Sequence, residues 1–350
     1  PCALVISVPL SFFTGLGAAS RKGVLVKGSS YMDALAKMDT VVFDKTGTLT
    51  QGKFAVTAIH PDHFNEKELL HLAAHVEHFS THPIGAALRD AFPNEAHDGC
   101  VVEHVEEIAG QGIRALVKVN CNDAETEKGK THVVCVGNAR MMEALRVEWH
   151  DCHKVGTIIH VAVDGRYAGH IVITDCVKPE SKQALAQLKR LGVRHTVMLT
   201  GDREEVAREV AEDLGIDEFH ANLLPADKVA HVERLLRQKP VGTTLAFVGD
   251  GINDAPVLKR ADLGIAMGAL GSDAAIEAAD VVLMDDNTQK IATAIRIARR
   301  TLRIAQQNVW FAIGVKIAVL ALASVGIGTL WMAVFADVGV TVLAVLNAMR

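Results

Sequence analysis

Thr40-Val41-Val42-Phe43-Asp44-Lys45-Thr46-Gly47-Thr48-Leu49-Thr50 reads as a short buried strand that stops on a carboxylate and then turns at a glycine. Residues 40–43 are β-branched or aromatic, the composition of a strand interior. An aspartate at the carboxyl end of a strand in an α/β sheet sits where ligands bind in such folds. The N–H groups of the following turn can cradle a phosphate, and a carboxylate is a covalent nucleophile toward phosphoryl groups. A lone Asp-Lys-Thr is more often an inert turn. The full run, taken with two similar runs further along, makes Asp44 a candidate nucleophile.

Val197-Met198-Leu199-Thr200-Gly201-Asp202 is the first of those runs, apolar residues ending in a hydroxyl, a glycine and a carboxylate. Leu245-Ala246-Phe247-Val248-Gly249-Asp250-Gly251-Ile252-Asn253-Asp254 repeats the design with two carboxylates four apart. Three such strands predict a parallel sheet whose polar ends converge at one edge. Phosphoryl transfer needs mainly positioning and charge neutralisation. In this arrangement Asp44 would attack a γ-phosphate and Thr200 would hydrogen-bond a phosphoryl oxygen. Asp250 would hold Mg²⁺ through oxygen, and Lys228 would supply a fixed positive charge.

The spacing of these pieces resembles the haloacid-dehalogenase-like phosphotransferase core, a Rossmann-like α/β fold. Within that group, DKTGTLT, TGD and GDGIND together resemble P-type ATPases, and the resemblance covers nearly all of the 350 residues. It implies ATP and Mg²⁺ as cofactors, with the ion bridging Asp44, the Thr46 main-chain carbonyl and Asp250. It also adds Lys45, Gly201, Asp202, Asn253 and Asp254 to the catalytic set. Hydrolases of the superfamily usually carry a second aspartate two residues after the nucleophile. Thr46 stands there instead and cannot act as acid and base at neutral pH, so the aspartyl phosphate should persist. A lasting intermediate suits a machine that couples phosphorylation to conformational change.

Composition narrows the class. The chain is 49% hydrophobic with a formal charge of −5, and the apolar excess lies at its two ends. No strongly basic surface suggests nucleic acid, and 5% aromatics are too few for a base-stacking platform. Six cysteines show no CxxC pair and no secreted-type framework, which fits reduced thiols in a cytosolic part. The chain opens inside an apolar run that continues to Ala19, with Arg21, Lys22 and Lys27 after it. This is the pattern of a membrane helix ending at a cytosolic, positive-inside boundary. From Val309 to Leu346 there is length for two spans of about 20 residues. Arg296, Arg299, Arg300 and Arg303 precede them, and Gly326, Gly328 and Thr329 mark the reversal.

Two ionisable residues lie inside those spans, Lys316 and Asp337. Charge in hydrocarbon is costly unless paired or watered, so it marks function by default. A Lys–Asp staple between helices is the plain alternative. Cys2 follows Pro1, and a proline frees backbone carbonyls. A thiolate with a carboxylate suits a borderline-soft divalent metal. Pro1-Cys2 resembles the tail of the Cys-Pro-Cys motif of heavy-metal P-type ATPases, and Lys316 and Asp337-Val338-Gly339 resemble the zinc/cadmium/lead exporters. The resemblance implies a transported-metal site of Cys2, Lys316 and Asp337 for Zn²⁺, Cd²⁺ or Pb²⁺. The Tyr-Asn and Met/Ser patterns of copper exporters and the His-Glu-Gly-Gly pattern of cobalt-type pumps are absent.

The segment from 52 to 171 interrupts the phosphorylation core and reads as an inserted domain. Predicted strands run over Val101–Val105, Ile113–Val119, Val133–Val136 and Ile158–Val163, with helices near Glu66–His78 and Ile84–Phe92. In heavy-metal pumps the insert binds nucleotide, and its signatures appear as Glu77 with His82-Pro83, Gly110-Gln111-Gly112 and Gly137-Asn138. The remaining boundaries are a membrane helix end at 1–20, a cytosolic linker at 21–39, the phosphorylation domain at 40–51 and 172–298, and two membrane helices at 299–350. His71, His75, His78 and His82 recur at helical spacing, but His82 belongs to the nucleotide signature and the rest read as a solvated face rather than a metal site.

The expected protein is thus an integral membrane pump of the plasma (inner) membrane, bacterial in aspect, with cytosolic catalytic domains. Its partners are membrane lipid, the transported ion and a missing N-terminal part of the same protein. That part holds the actuator domain and the other membrane helices. No nucleic acid is expected, and the pump is expected to be a monomer. Three other readings stand beside it: a Cu⁺ or Co²⁺ pump of the same family, a membrane-tethered phosphatase of the dehalogenase superfamily, and a non-enzymatic ATP or metal binder.

Overall fold

The computed structural model describes residues 2–78, 83–93, 99–108, 110–119, 129–150, 152, 156–250, 254–268 and 273–350. His82 and Asn253 therefore lie outside the described residues, as do the side chains of Cys2 and Pro83. The chain forms two compact units, one of residues 1–49 with 178–350 and one of residues 50–177. The insert is longer than the expected 52–171 because its first and last strands, Thr50–Pro61 and Arg166–Val177, pair antiparallel from Thr50 opposite Val177 to Pro61 opposite Gly169. Two register shifts interrupt that pairing, so neither strand shows a clean alternation in sequence.

The first unit is built on a seven-stranded sheet in the order Val24–Val26, Val281–Leu283, Leu263–Met267, Thr244–Gly249, Met38–Asp44, His195–Leu199, Glu218–His220. All neighbours are parallel except the first pair. The central strands are buried along their whole length, as a sheet covered on both faces requires. Val42, Val197, Leu199, Leu245 and Phe247 pack against Val232, Leu235, Val257 and Leu258 of the flanking helices. The stretch expected as a linker, 21–39, instead gives the sheet an edge strand and the helix Ser29–Ala36.

Three helices in the described residues are long and apolar enough to cross a membrane: Ala3–Arg21, Gln289–Ser324 and Leu330–Ala348. The 36-residue helix Gln289–Ser324 is unbroken, about 54 Å at 1.5 Å per residue. It crosses the boundary expected at 298/299. Gly314 is its one glycine and it has no proline, so nothing in the stretch stops a helix. Its amino-terminal part packs on the catalytic unit, where Arg299 donates to the carbonyls of Ala36 (3.1 Å) and Leu191 (2.5 Å). Near its middle Asn308 donates to the Ala344 carbonyl (3.0 Å) and accepts from Asn347 (2.9 Å), tying it to the last helix. The chain reverses at Val325–Thr329, and the Thr329 hydroxyl caps the next helix.

The second unit is an antiparallel six-stranded sheet in the order Thr50–Pro61, Arg166–Val177, Thr157–Val163, Thr131–Gly137, Gly112–Lys118, Val101–Ile108. Helices Glu66–Glu77 and Pro83–Ala91 share one core with it. Residues 69–77 are buried without exception. That overturns the reading of His71 and His75 as a solvated face; among the described members of that series only His78 is exposed. Helical spacing alone does not say which side a helix presents to water when it is enclosed all round.

Candidate active site

Asp44 ends the strand Met38–Asp44 opposite Leu199, one residue before Thr200, and Phe43 lies opposite Val248, two residues before Asp250. Register therefore brings Asp44, Thr200 and Asp250 to the same sheet edge. The oxygens of Asp44, Asp250 and Asp254 lie within 4.8 Å of one another. Lys228, in the first turn of the helix Pro225–Gln238, extends Nζ to Asp44 Oδ1 (2.6 Å) and Asp254 Oδ1 (3.1 Å). Lys45 pairs with Asp202 at 2.5 Å.

Three carboxylates share this edge, and the acidities of Asp44 and Asp250 follow. Burial first, then the charge of Asp254, raises the Asp44 carboxyl to about 7 against the opposing pull of Lys228. Burial and Asp254 likewise raise Asp250 to about 6. Burial acts to lower Lys228, but Asp44 and Asp254 together hold it above the ordinary lysine range. The cluster has more negative charge than one lysine neutralises. That is the donor set a hard divalent cation prefers, and the group Asp44, Asp250 and Asp254 could hold Mg²⁺.

The turn Lys45–Leu49 is shaped to this cluster. Gly47 has φ +73°, and a Cβ there would lie 1.7 Å from Asp250 Oδ2, so no side chain fits. The Gly47 carbonyl accepts from buried Lys178 Nζ (2.6 Å) and the Leu49 carbonyl from the Ser181 hydroxyl (2.9 Å). Lys178 was not legible as a site residue. It lies 131 residues from Gly47, and its one cue is its place before Pro179 at a helix start. Thr46 is exposed, two residues after the buried Asp44. Thr200 is buried and its hydroxyl accepts from the Asp202 N–H (3.1 Å), while Gly201 stays exposed.

In the second unit a cleft of about 350 Å³ is lined by Glu77, Gly110, Gly112, Gly137 and Asn138 with Ile84, Ile108 and Ile158. Gly112 and Gly137 are cross-strand partners. A Cβ on Gly112 would sit 2.2 Å from the Val136 carbonyl oxygen. Asn138 fixes the turn before it: its Nδ2 donates to Gly110 O (2.9 Å), and its Oδ1 accepts from the Met141 N–H to cap a short helix. Mostly apolar walls with a few convergent polar groups are the usual form of a small-molecule site.

In the membrane helices, Lys316 Nζ stands 3.5 Å from Asp337 Oδ1. Asp337 lies in a widened π-type turn, Phe335–Gly339, and the Thr341 hydroxyl donates back to the Asp337 carbonyl (2.5 Å). Such turns recur at functional positions in helices. Ala3, the neighbour of Cys2, packs with Ala312 and Val340, and Val315 lies against them. The backbone of Cys2 is thus at the level of the Lys316–Asp337 pair.

Residues 38–262 match the haloacid dehalogenase-like hydrolase family. The chain belongs to it. Over its whole length the chain is also homologous to metal-transporting ATPases. It is 52% identical over 352 residues to a zinc-transporting ATPase of Synechocystis, covering 100% of this chain and 47% of that one. It is 53% identical over 351 residues to a cadmium, zinc and cobalt-transporting ATPase of Bacillus subtilis, covering 100% and 48%. A crystal structure of a zinc-transporting PIB-type ATPase in the E2.Pi state superposes with a TM-score of 0.85 at 38% identity, covering 100% of this chain and 56% of that one. The chain spans about half the length of the curated relatives it matches. In this family member the catalytic edge of a hydrolase and three membrane-length helices occupy one compact unit.

Proposed function

We propose that this chain carries the phosphorylated centre and part of the ion path of an ATP-driven pump. It would export a soft divalent metal, Zn²⁺, Cd²⁺ or Pb²⁺, from the cytosol across a bacterial plasma membrane. The carrying observation is the unbroken helix Gln289–Ser324, which packs on the Asp44 unit through Arg299 and bears Lys316 against Asp337. A tethered phosphatase has no use for an ion pair between its membrane helices, because such charge is expensive there.

The unit 50–177 would hold ATP in the Gly110–Asn138 cleft. An ionised Asp44 oxygen attacks the γ-phosphorus in line, forming an acyl phosphate as the bond to the bridging oxygen breaks and ADP leaves. Lys228 draws off negative charge beside the attacking oxygen, and Thr200 donates to a phosphoryl oxygen. Asp250 and Asp44, with the Thr46 carbonyl, would hold Mg²⁺, which neutralises charge on the transferring group. Exposed Thr46 gives water no general base, so the phosphoenzyme waits for an actuator loop supplied elsewhere in the pump. Conformational change then reaches Cys2, Lys316 and Asp337, where thiolate and carboxylate bind the metal and the Lys316 ammonium compensates Asp337 in the empty state.

The test is metal-stimulated ATP hydrolysis by the pump in membranes across Zn²⁺, Cd²⁺, Pb²⁺, Co²⁺ and Cu⁺. Cobalt belongs in the series because the name of one relative includes it. Stimulation by Zn²⁺ or Cd²⁺ is expected; stimulation by Cu⁺ alone would overturn the assignment of Lys316 and Asp337.

A further inference from the structure

Outside the catalytic edge and the membrane pair, the second unit brings together three metal-ligating side chains that neither site uses. His71 and His75 stand one turn apart on the helix Glu66–Glu77, both buried. Their Nε2 atoms are 3.1 Å apart, and Cys100 Sγ is 3.5 Å from His71 Nε2. The three ligand atoms all lie within 4.8 Å of one another. We propose that His71, His75 and Cys100 form a binding site for one soft divalent transition cation in the unit 50–177.

The two separations from His71 Nε2 are close to the edges of a coordination tetrahedron, and the third lies within 4.8 Å. At Zn–N bonds of about 2.05 Å and a Zn–S bond of about 2.3 Å, tetrahedral coordination separates two nitrogens by about 3.3 Å and a nitrogen from a sulfur by about 3.6 Å. The observed 3.1 and 3.5 Å need shifts of only a few tenths of an ångström. The rings are held: His71 meets His75 edge-on with centroids 4.7 Å apart, and Phe92 lies 5.0 Å from His71. Two imidazoles and a thiolate select borderline-soft ions over Mg²⁺. On binding, Cys100 releases its thiol proton. The imidazole that donated from Nε2 shifts to the tautomer with its proton on Nδ1. Cys100 is only partly buried, which gives the ion a way in. None of this depends on Asp44 chemistry or on which ion the membrane helices carry.

The experiment uses the full chain with two background substitutions, Cys2→Ala and Cys152→Ser. The first removes the cysteine expected at the membrane site. The second silences another trio, His60, His170 and Cys152, in the same unit. Metal-free protein is titrated with Co²⁺ and then with Zn²⁺. One equivalent of Co²⁺ should bind with a thiolate-to-cobalt charge-transfer band and the visible bands of tetrahedral coordination, and Zn²⁺ should displace it. Cys100→Ser should abolish the charge-transfer band, and His75→Gln should weaken Co²⁺ binding at least about tenfold. Folding is checked by circular dichroism, and the partly exposed Cys100→Ser decides if His75→Gln does not fold. A charge-transfer band that survives Cys100→Ser, or none in the folded background protein, would overturn the site.

Discussion

Asp44 must be ionised to attack phosphorus, yet burial and the neighbouring Asp254 raise it to about 7. Its folded pKa lies above its unfolded value of 3.8, so the ligand-free chain loses stability as pH rises between them. Asp44→Asn removes that penalty and leaves Lys228 paired with Asp254 at 3.1 Å. Thermal unfolding without nucleotide or divalent cation should therefore show Asp44→Asn melting higher than the parent, by on the order of a few degrees. The gain should be larger at pH 7.5 than at pH 5, and an equal gain at both would refute the ionisation argument. Gly47→Ala acts in the opposite direction: φ is +73° and the added methyl would meet Asp250. Strain of about 1–3 kcal/mol and loss of phosphorylation are expected, read by melting and by labelled ATP. At this scale the catalytic edge was legible, because three strands announce their polar ends in local sequence. Lys178 was not, since long-range pairing of a buried lysine with a carbonyl leaves no periodic trace.

Elements decide whether those residues hold their places. The turn Lys45–Leu49 is anchored from outside by Lys178 and Ser181 at the start of the helix Pro179–Arg190. The Lys178 charge also opposes the rise of Asp250. Lys178→Met should free the turn and raise Asp250 further, increasing the Mg²⁺ concentration needed for half-maximal phosphorylation by about tenfold, or 1.4 kcal/mol. An unchanged Mg²⁺ titration would remove Lys178 from the site. In the other unit Asn138→Ala loses a helix cap, worth about 1 kcal/mol, and the bond to Gly110. A fluorescent ATP analogue should bind about tenfold more weakly, whereas an unchanged affinity would leave Asn138 a capping residue alone. The strands Val101–Ile108 and Thr131–Gly137 were legible from β-branched runs. The bulged pair Thr50–Pro61 and Arg166–Val177 was not, because register shifts break the alternation on which such readings rest.

Across the whole molecule, the proposed coupling rests on covalent and helical continuity. The helix Gln289–Ser324 joins the Asp44 unit to Lys316, and a sequence that changes from arginine-rich to apolar within one helix reads as two elements until its lack of breakers is noticed. The apolar spans themselves were legible from hydropathy, as was the anomaly of a lysine and an aspartate inside them. Asp337→Ala should abolish Zn²⁺ stimulation of ATP hydrolysis while leaving the fold of the cytosolic units intact, checked by hydrolysis assays across Zn²⁺ concentrations. In the proposed pump, everything turns on Asp44 itself taking the γ-phosphate of ATP and keeping it. That transfer is tested by exposing the protein in membranes to γ-labelled ATP with Mg²⁺, quenching in acid, and treating with hydroxylamine, beside Asp44→Asn. A hydroxylamine-sensitive label on the protein, absent in Asp44→Asn, is the predicted result. Release of free phosphate with no trapped label, or a label that survives in Asp44→Asn, would contradict it.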